Sequence, residues 1–324
     1  MNAPVRSPFV APAPKTLAPE KFRDPRTTAK GEPRAHVQLQ RLETLWFNTG
    51  TLCNLTCANC YIESSPTNDA LAYLTSAEVE AFLDEIEALG LQTREIGFTG
   101  GEPFMNREII AMIGAALERG YDTLVLTNAM KPMRRFEAGL KALKGRHGDK
   151  LTVRVSLDHY TAAVHEAERG EDTWDKTLDG LIWLAREGLS LAVAGRHLPE
   201  ESDADARAGY ARLLAELGVP VDAADPGRLV LFPEMDARVD VPEITEACWG
   251  ILHKSPSDVM CASSRMVVKR RGADEPVVVA CTLTPYDPGF ELGPSLKDAL
   301  GEVALNHPHC AKFCVLGGAS CSAR

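Results

Sequence analysis

Short apolar runs alternate with helical patterns between residues 44 and 232. Each run is four to six residues long and ends in a polar or glycine-containing turn, so we predict six buried strands. The predicted strands are residues 44–48, 95–99, 123–126, 151–156, 190–194 and 229–232. Between the strands, apolar residues recur every three or four positions, which predicts helices. The first helix follows a capping box formed by Thr75 and Glu78.

A succession of six strand–helix units indicates a parallel sheet with helices on its outside. Six units are too few for the usual closed barrel of eight. We therefore predict an α/β fold in which residues 41–240 form an open, partial (β/α)6 barrel. Functional side chains are expected at the carboxyl ends of the strands, where parallel α/β folds carry their chemistry.

The strand–helix repeat stops after residue 240. Residues 266–269 and 277–280 flank a turn that contains Gly272, which predicts a β-hairpin with Cys261 and Cys281 near its ends. Ser295 is predicted to cap a short helix. We assign residues 241–324 to a small cysteine-rich extension made of this hairpin and helix.

The first 40 residues form a basic tail, and residues 1–35 hold 7 of the 21 prolines with a net charge of +4. Such a segment is expected to be extended or disordered, with an arm that binds a partner as the alternative. The tail is too short and too rich in proline for a folded peptide-recognition domain.

Composition excludes several classes of protein. The net charge of −10 does not favour bulk binding of nucleic acid, and no run of 18 apolar residues predicts a membrane span. The N-terminus lacks the continuous apolar core of a secretory signal. Nine cysteines without such a signal favour reduced thiols or metal ligands, so we expect a cytoplasmic protein.

Three cysteines, Cys53, Cys57 and Cys60, lie within eight residues directly after the first predicted strand. This spacing suits a short loop whose thiolates converge on one metal centre. Structural zinc prefers four ligands, and the nearest histidine in sequence is His36, in the tail. An iron–sulfur cluster held by three cysteines would leave one iron free for another ligand. A zinc knuckle or a buried thiol cluster is the alternative.

The Cys-x3-Cys-x2-Cys spacing, followed by the aromatic residue Tyr61, resembles the signature of the radical S-adenosylmethionine (radical SAM) enzymes. The resemblance implies a [4Fe–4S] cluster on the three cysteines, with the amino and carboxylate groups of SAM on its fourth iron. It also implies an external one-electron donor such as flavodoxin or ferredoxin. Reductive cleavage of SAM would then yield a 5′-deoxyadenosyl radical that abstracts a hydrogen atom from the substrate.

Polar residues that follow the predicted strands extend this resemblance. After strand two, the stretch from Gly100 through Gly101 and Glu102 to Pro103 resembles the family's GGEP motif, which implies contact with the SAM amino group; a simple turn is the alternative. The resemblance further implies that Ser156 and Asp158 bind the ribose and that Arg196 binds the SAM carboxylate. Asn128 is predicted either to line the SAM pocket or to cap the next helix, and the sequence does not choose between these two roles. The alternative for Ser156 and Asp158 is helix capping, and the alternative for Arg196 is a solvated surface arginine.

The extension carries the remaining cysteines, and its arrangement resembles the SPASM and twitch extensions of radical SAM enzymes. The resemblance implies an auxiliary [4Fe–4S] cluster, although the terminal Cys-x3-Cys-x6-Cys spacing departs from the tighter family pattern. The first four candidate ligands are Cys261, Cys281, Cys310 and Cys314, with Cys321 as the substitute and Cys248 as a spare thiol. The alternative is a structural zinc site to which His307 or His309 contributes.

The function implied is a radical SAM enzyme of the oxidoreductase type that oxidises or otherwise modifies a small molecule. The first alternative is a maturase that modifies a peptide or protein side chain, and the second is a non-catalytic electron carrier with two clusters. No catalytic acid or base is assigned. Tyr160 and Glu234 lie near strand ends, where polar residues are usually solvated, and His197 receives no role.

Overall fold

The computed structural model describes residues 7–11 and 13–318. Within these residues the chain forms eleven strands: β1 His36–Val37, β2 Thr44–Asn48, β3 Glu95–Thr99, β4 Asp122–Thr127, β5 Leu151–Ser156, β6 Ser190–Gly195, β7 Leu229–Leu231, β8 Ser264–Val268, β9 Val277–Val279, β10 Glu291–Gly293 and β11 Val303–Ala304. Strands β2 to β7 lie side by side in chain order and run parallel. This arrangement confirms the predicted α/β fold with six parallel strands.

Helices pack against these strands and bury their apolar sides. The α-helices within the described residues are α1 Ser76–Ala88, α2 Ile109–Glu118, α3 Lys131–Arg134, α4 Glu137–His147, α5 Ala162–Arg169, α6 Trp174–Arg186, α7 Asp203–Glu216 and α8 Cys248–Leu252. The capping box forms as predicted, because Thr75 Oγ1 accepts from the Glu78 N–H and Glu78 Oε2 accepts from the Thr75 N–H. Leu83 of α1 is fully buried in the same core as Phe47 and Phe98. Each such side chain contributes about 1.5–3 kcal/mol of burial.

The extension continues the main sheet instead of forming a separate layer. Its hairpin of β8 and β9 is antiparallel as predicted, but β8 also pairs in parallel with β2, so Phe47 faces Val267 across the two strands. The full order is β10-β9-β8-β2-β3-β4-β5-β6-β7. The short helix expected after Ser295 is only a single 3-10 turn, Asp298–Leu300, because the chain becomes extended at Gly301 and enters β11.

From Lys15 onward, the tail lies against the extension and the residues just before it. Strand β1 pairs with β11, and Thr16 forms a bridge with Val239. Arg34 is fully buried and its Nη2 donates to Glu243 Oε1 at 2.6 Å. A buried guanidinium needs such a partner. The segment is extended, and these contacts hold its described residues from Lys15 onward in place.

The helices of the described residues are all too short, or too polar, to cross a membrane.

Candidate active site

One cavity opens at the carboxyl ends of the parallel strands, with about 1070 Å³ of empty space that includes its open mouth. Most of the residues singled out from the sequence border it. These are Cys53, Cys57, Cys60, Tyr61, Gly100, Gly101, Pro103, Asn128, Ser156, Asp158 and Arg196. They come from the ends of five different strands, β2 to β6, and from the loops that follow them, so the parallel sheet brings them together.

Two glycines allow the loop after β3 to approach the loop that carries the three cysteines, residues 53–60. The Gly101 N–H donates to the Gly50 carbonyl oxygen at 2.9 Å. A Cβ atom on Gly101 would lie 2.4 Å from the Leu52 carbonyl oxygen, and one on Gly100 would lie 2.6 Å from the Gly50 oxygen. Any side chain at these positions would therefore push the cysteine loop away from the sheet.

The three thiols border the cavity from one side. Burial raises the pKa of Cys53 to about 11 and that of Cys57 to about 12, so both are protonated at neutral pH in the metal-free chain. Thiolates at these positions therefore require a cation, which a metal centre provides. Among the described residues that line this cavity, there is no fourth cysteine and no histidine. Three thiols beside open space fit an iron–sulfur cluster with one iron left for a further ligand.

A mononuclear zinc site has a different geometry, with its ligands gathered around a single ion. The described residues contain no group of three or more His, Cys, Asp or Glu side chains placed in that way.

The Glu102 carboxylate is buried and hydrogen-bonded within the chain, and Glu102 is not among the described residues that line the cavity. Oε1 accepts hydrogen bonds from the Phe104 N–H at 3.1 Å and from the Thr127 hydroxyl at 2.9 Å. Oε2 accepts from the Asn128 N–H at 2.8 Å. Burial raises the pKa of Glu102 to about 7, although these donors favour its charged form. Glu102 therefore ties the loop after β3 to the end of β4.

Asp158 and Arg196 belong to a buried ionic network whose second cation, Arg169, was missed from the sequence. Arg169 Nε donates to Asp158 Oδ2 at 2.5 Å, and Arg196 Nε lies 3.3 Å from Asp158 Oδ1. Burial alone would raise the pKa of Asp158, but the two guanidinium groups hold it below its usual range. Asp158 is therefore a carboxylate at neutral pH, held in one orientation from two sides.

Arg169 ends α5, a helix that was not predicted because the side chains it buries, His165 and Glu168, are polar. The neighbouring Glu168 binds the cysteine loop directly, since its Oε1 accepts from the Asn59 N–H at 3.0 Å and its carbonyl oxygen accepts from the Ala58 N–H at 2.7 Å. Glu234, expected to be solvated, accepts a hydrogen bond from Asn59 Nδ2 and lies 3.7 Å from Arg196. Gly170, which ends α5, is the residue in the sequence that could have indicated this helix.

A second, smaller cavity lies in the extension, with about 370 Å³ of empty space that includes its opening. Four of the predicted cysteine ligands line it: Cys261, Cys281, Cys310 and Cys314. Burial raises the pKa of Cys261 to about 12, and nearby Cys281 acts in the same direction. Leu283 borders both cavities, so they share a wall. Cys248 accepts a hydrogen bond from the Thr245 N–H, away from the lining of either cavity, and Cys321 lies outside the described residues.

Comparison with known proteins adds an independent observation. A family model for the radical SAM superfamily matches residues 47–209. The antilisterial bacteriocin subtilosin biosynthesis protein AlbA of Bacillus subtilis (strain 168) is 31% identical over 143 residues, which cover 44% of this chain and 30% of AlbA. The GTP 3′,8-cyclase of Rhodococcus opacus (strain B4) is 29% identical over 206 residues, which cover 54% of this chain and 58% of the cyclase. The chain thus spans less than two thirds of either relative.

Solved structures agree on the fold. Streptococcus suis SuiB bound to S-adenosylmethionine superposes with a TM-score of 0.57 at 12% identity, covering 81% of this chain and 65% of SuiB. SuiB bound to the precursor peptide SuiA gives a TM-score of 0.56 at 13% identity, covering 81% of this chain and 64% of SuiB. The family match spans just over half of the 324 residues and includes the cysteine loop and strands β3 to β6. The chain belongs to the radical SAM superfamily.

Proposed function

We propose that this protein is a radical SAM enzyme that cleaves SAM reductively and modifies a substrate bound at the mouth of the first cavity. The observation that carries the proposal is the convergence of Cys53, Cys57 and Cys60 with the paired glycines on one cavity at the strand ends. When bound, the [4Fe–4S] cluster and SAM supply one-electron cleavage of SAM and abstraction of a hydrogen atom from the substrate. An external one-electron donor such as flavodoxin or ferredoxin supplies the electron.

The chain's own residues would hold and orient these groups. Cys53, Cys57 and Cys60 bind the cluster, and the main chain of Gly100 and Gly101 offers polar groups to the SAM amino group. Ser156 lies at the cavity and offers a hydroxyl to the ribose. The SAM carboxylate would share the Arg196 guanidinium with Asp158, which already lies 3.3 Å from it.

The substrate would enter on the side of the cavity lined by apolar residues of the loop after β7 and of the extension. This wall consists of Phe232, Pro233, Met235, Leu283 and Phe313. An apolar wall excludes water and other hydrogen donors from a reactive radical. SAM would fill part of this cavity, so the substrate would lie toward its open mouth.

We propose a small molecule as the substrate, and a peptide or protein side chain as the second candidate. SuiB bound to a precursor peptide and AlbA, a bacteriocin biosynthesis protein, favour the second candidate. The GTP 3′,8-cyclase favours the first. A gene for a short precursor peptide next to the gene of this protein would decide for the peptide, and that peptide would then be tested as the substrate.

We further propose that the second cavity holds an auxiliary [4Fe–4S] cluster, as in SPASM and twitch extensions. Support comes from the four cysteines that line one small cavity, because such clusters are normally held by four thiolates. Leu283 lines both cavities, which supports a role for this site close to the proposed substrate region. Such a cluster would accept one electron from the substrate radical that remains after hydrogen abstraction, and the two losses together make the net reaction a two-electron oxidation of the substrate.

The test begins with anaerobic reconstitution of the full chain and of a Cys53→Ala, Cys57→Ala, Cys60→Ala variant. The unaltered protein, reduced with dithionite and given SAM, is expected to form 5′-deoxyadenosine, detected by mass spectrometry, and the variant is not. Formation of 5′-deoxyadenosine by neither protein, with iron bound, would contradict the proposed activity.

The same variant tests the second site through its iron and sulfide content. About four irons per chain are expected to remain, because the extension carries its own four ligands. An absence of iron, especially with zinc bound instead, would contradict the auxiliary cluster and leave the extension a structural role.

A further inference from the structure

Two polar atoms of residues that line the second cavity have no hydrogen-bond partner among the described residues. They are Oγ1 of Thr284 and Nδ1 of His309, and both atoms are inaccessible to solvent. Both residues line the cavity, with only 4% of Thr284 and 5% of His309 exposed. Buried donors of this kind normally have partners, because an unpaired polar group removed from water is destabilising.

The cavity wall offers these two donors little else. Apart from the four thiols, the other lining residues are apolar: Val259, Leu283, Phe290, Val303 and Leu305. One main-chain donor is already directed at sulfur here, since the Leu283 N–H lies 3.4 Å from Cys281 Sγ. The described residues supply no acceptor for Thr284 or His309, which leaves this role to a group bound in the cavity. The four cysteines make negatively charged sulfur the expected acceptor.

We propose that the Thr284 hydroxyl and the His309 Nδ1–H donate hydrogen bonds to sulfur atoms of the cluster in this cavity and raise its reduction potential. This inference rests on the proposed auxiliary cluster. A cluster gains negative charge when it is reduced, so donors to its sulfurs stabilise the reduced form more than the oxidised form. His309 acts as a donor and not as a ligand, because four thiolates already supply one ligand to each iron.

The experiment uses the full-length chain with Cys53, Cys57 and Cys60 changed to Ala, so that only the second site holds iron. Thr284→Val removes the hydroxyl at nearly constant volume, and Thr284→Ser is its matched control because it keeps the donor. His309→Leu removes the ring nitrogen, and His309→Asn restores an N–H near the position of Nδ1. Iron and sulfide are measured first, and each protein is then titrated with dithionite while the reduced cluster is followed by EPR.

At a fixed solution potential, Thr284→Val and His309→Leu are each expected to lower the ratio of reduced to oxidised cluster on the order of threefold, from the ordinary net strength of one hydrogen bond. Thr284→Ser and His309→Asn are expected to restore most of the ratio. Unchanged ratios in both the Val and Leu variants would overturn the inference, even with four irons bound.

Two further outcomes are distinct from that one. A parent variant without iron would refute the auxiliary cluster itself, and the inference with it. Nitrogen coupling to the cluster in pulsed EPR of the parent, lost together with iron in His309→Leu, would make His309 a ligand and overturn its assignment as a donor.

Discussion

The buried pair of Arg169 and Asp158 allows a quantitative test of how the active site is held together. Their side chains are only 12% and 6% exposed, and Arg169 Nε donates to Asp158 Oδ2 at 2.5 Å. Removal of one partner of a buried ion pair leaves an uncompensated charge, which typically costs about 3–5 kcal/mol. Arg196 remains 3.3 Å from Asp158 and offsets part of this loss. We therefore expect Arg169→Met to lower the free energy of unfolding by about 2–4 kcal/mol.

The double variant Asp158→Asn, Arg169→Met separates the pair from its surroundings. Each single change leaves one buried charge without its partner, whereas the double change removes both charges. The changes in the free energy of unfolding are therefore expected not to add. The coupling energy from the double-mutant cycle should be about 2 kcal/mol. The measurement is urea unfolding of the metal-free chain at pH 7, followed by far-ultraviolet circular dichroism.

A matched control uses a surface pair of the same chemistry. Arg146 Nη1 lies 3.2 Å from Glu118 Oε1, and these side chains are 58% and 61% exposed. Arg146→Met is expected to change the free energy of unfolding by less than about 1 kcal/mol, because exposed pairs are solvated in both states. Two results would refute the assignment of Arg169 as the cation that fixes Asp158. Arg169→Met would lower the free energy of unfolding no more than Arg146→Met does, or the free-energy changes of the two single variants would simply add in the double variant.

Two further changes test the loop after β3. Burial raises the pKa of Glu102 from 4.5 to about 7, so the folded chain binds the carboxyl proton of Glu102 more tightly than the unfolded chain does. The stability that this proton contributes is lost as the pH rises through 7. Relative to Glu102→Gln, the unaltered metal-free protein should therefore lose about 2.5 kcal/mol of unfolding free energy between pH 5 and pH 8; parallel pH profiles of the two proteins in urea would contradict this. Gly101→Ala places a Cβ 2.4 Å from the Leu52 carbonyl oxygen and should displace the cysteine loop, which lowers both the iron content after reconstitution and the melting temperature. Its control is Gly145→Ala in α4, where a Cβ meets nothing within 4 Å, and this change should stabilise the protein by about 0.4–1 kcal/mol; equal effects of the two substitutions would exclude a steric cause.

The parallel sheet was predictable because each strand is a local apolar run. Strands β2, β3 and β5 begin and end where their sequence patterns predicted. The cysteine spacing and the glycine pair are equally local, and their placement after successive strands was enough to bring them to one edge of a parallel sheet. The sequence by itself therefore determined the family, the central sheet and most of the residues that border the first cavity.

Only the tertiary structure decided which distant groups meet. Strand β8 pairs with β2, more than 200 residues earlier in the chain, and this joins the extension to the barrel. Glu102 turns toward β4, and Arg169 reaches Asp158 from a helix whose buried side chains are polar. Apolar periodicity reports which side of an element is buried, but it does not report the partner of a polar side chain. That partner is set by packing between distant segments, because a buried charge or donor is stable only where the folded chain, or a bound group, pairs it.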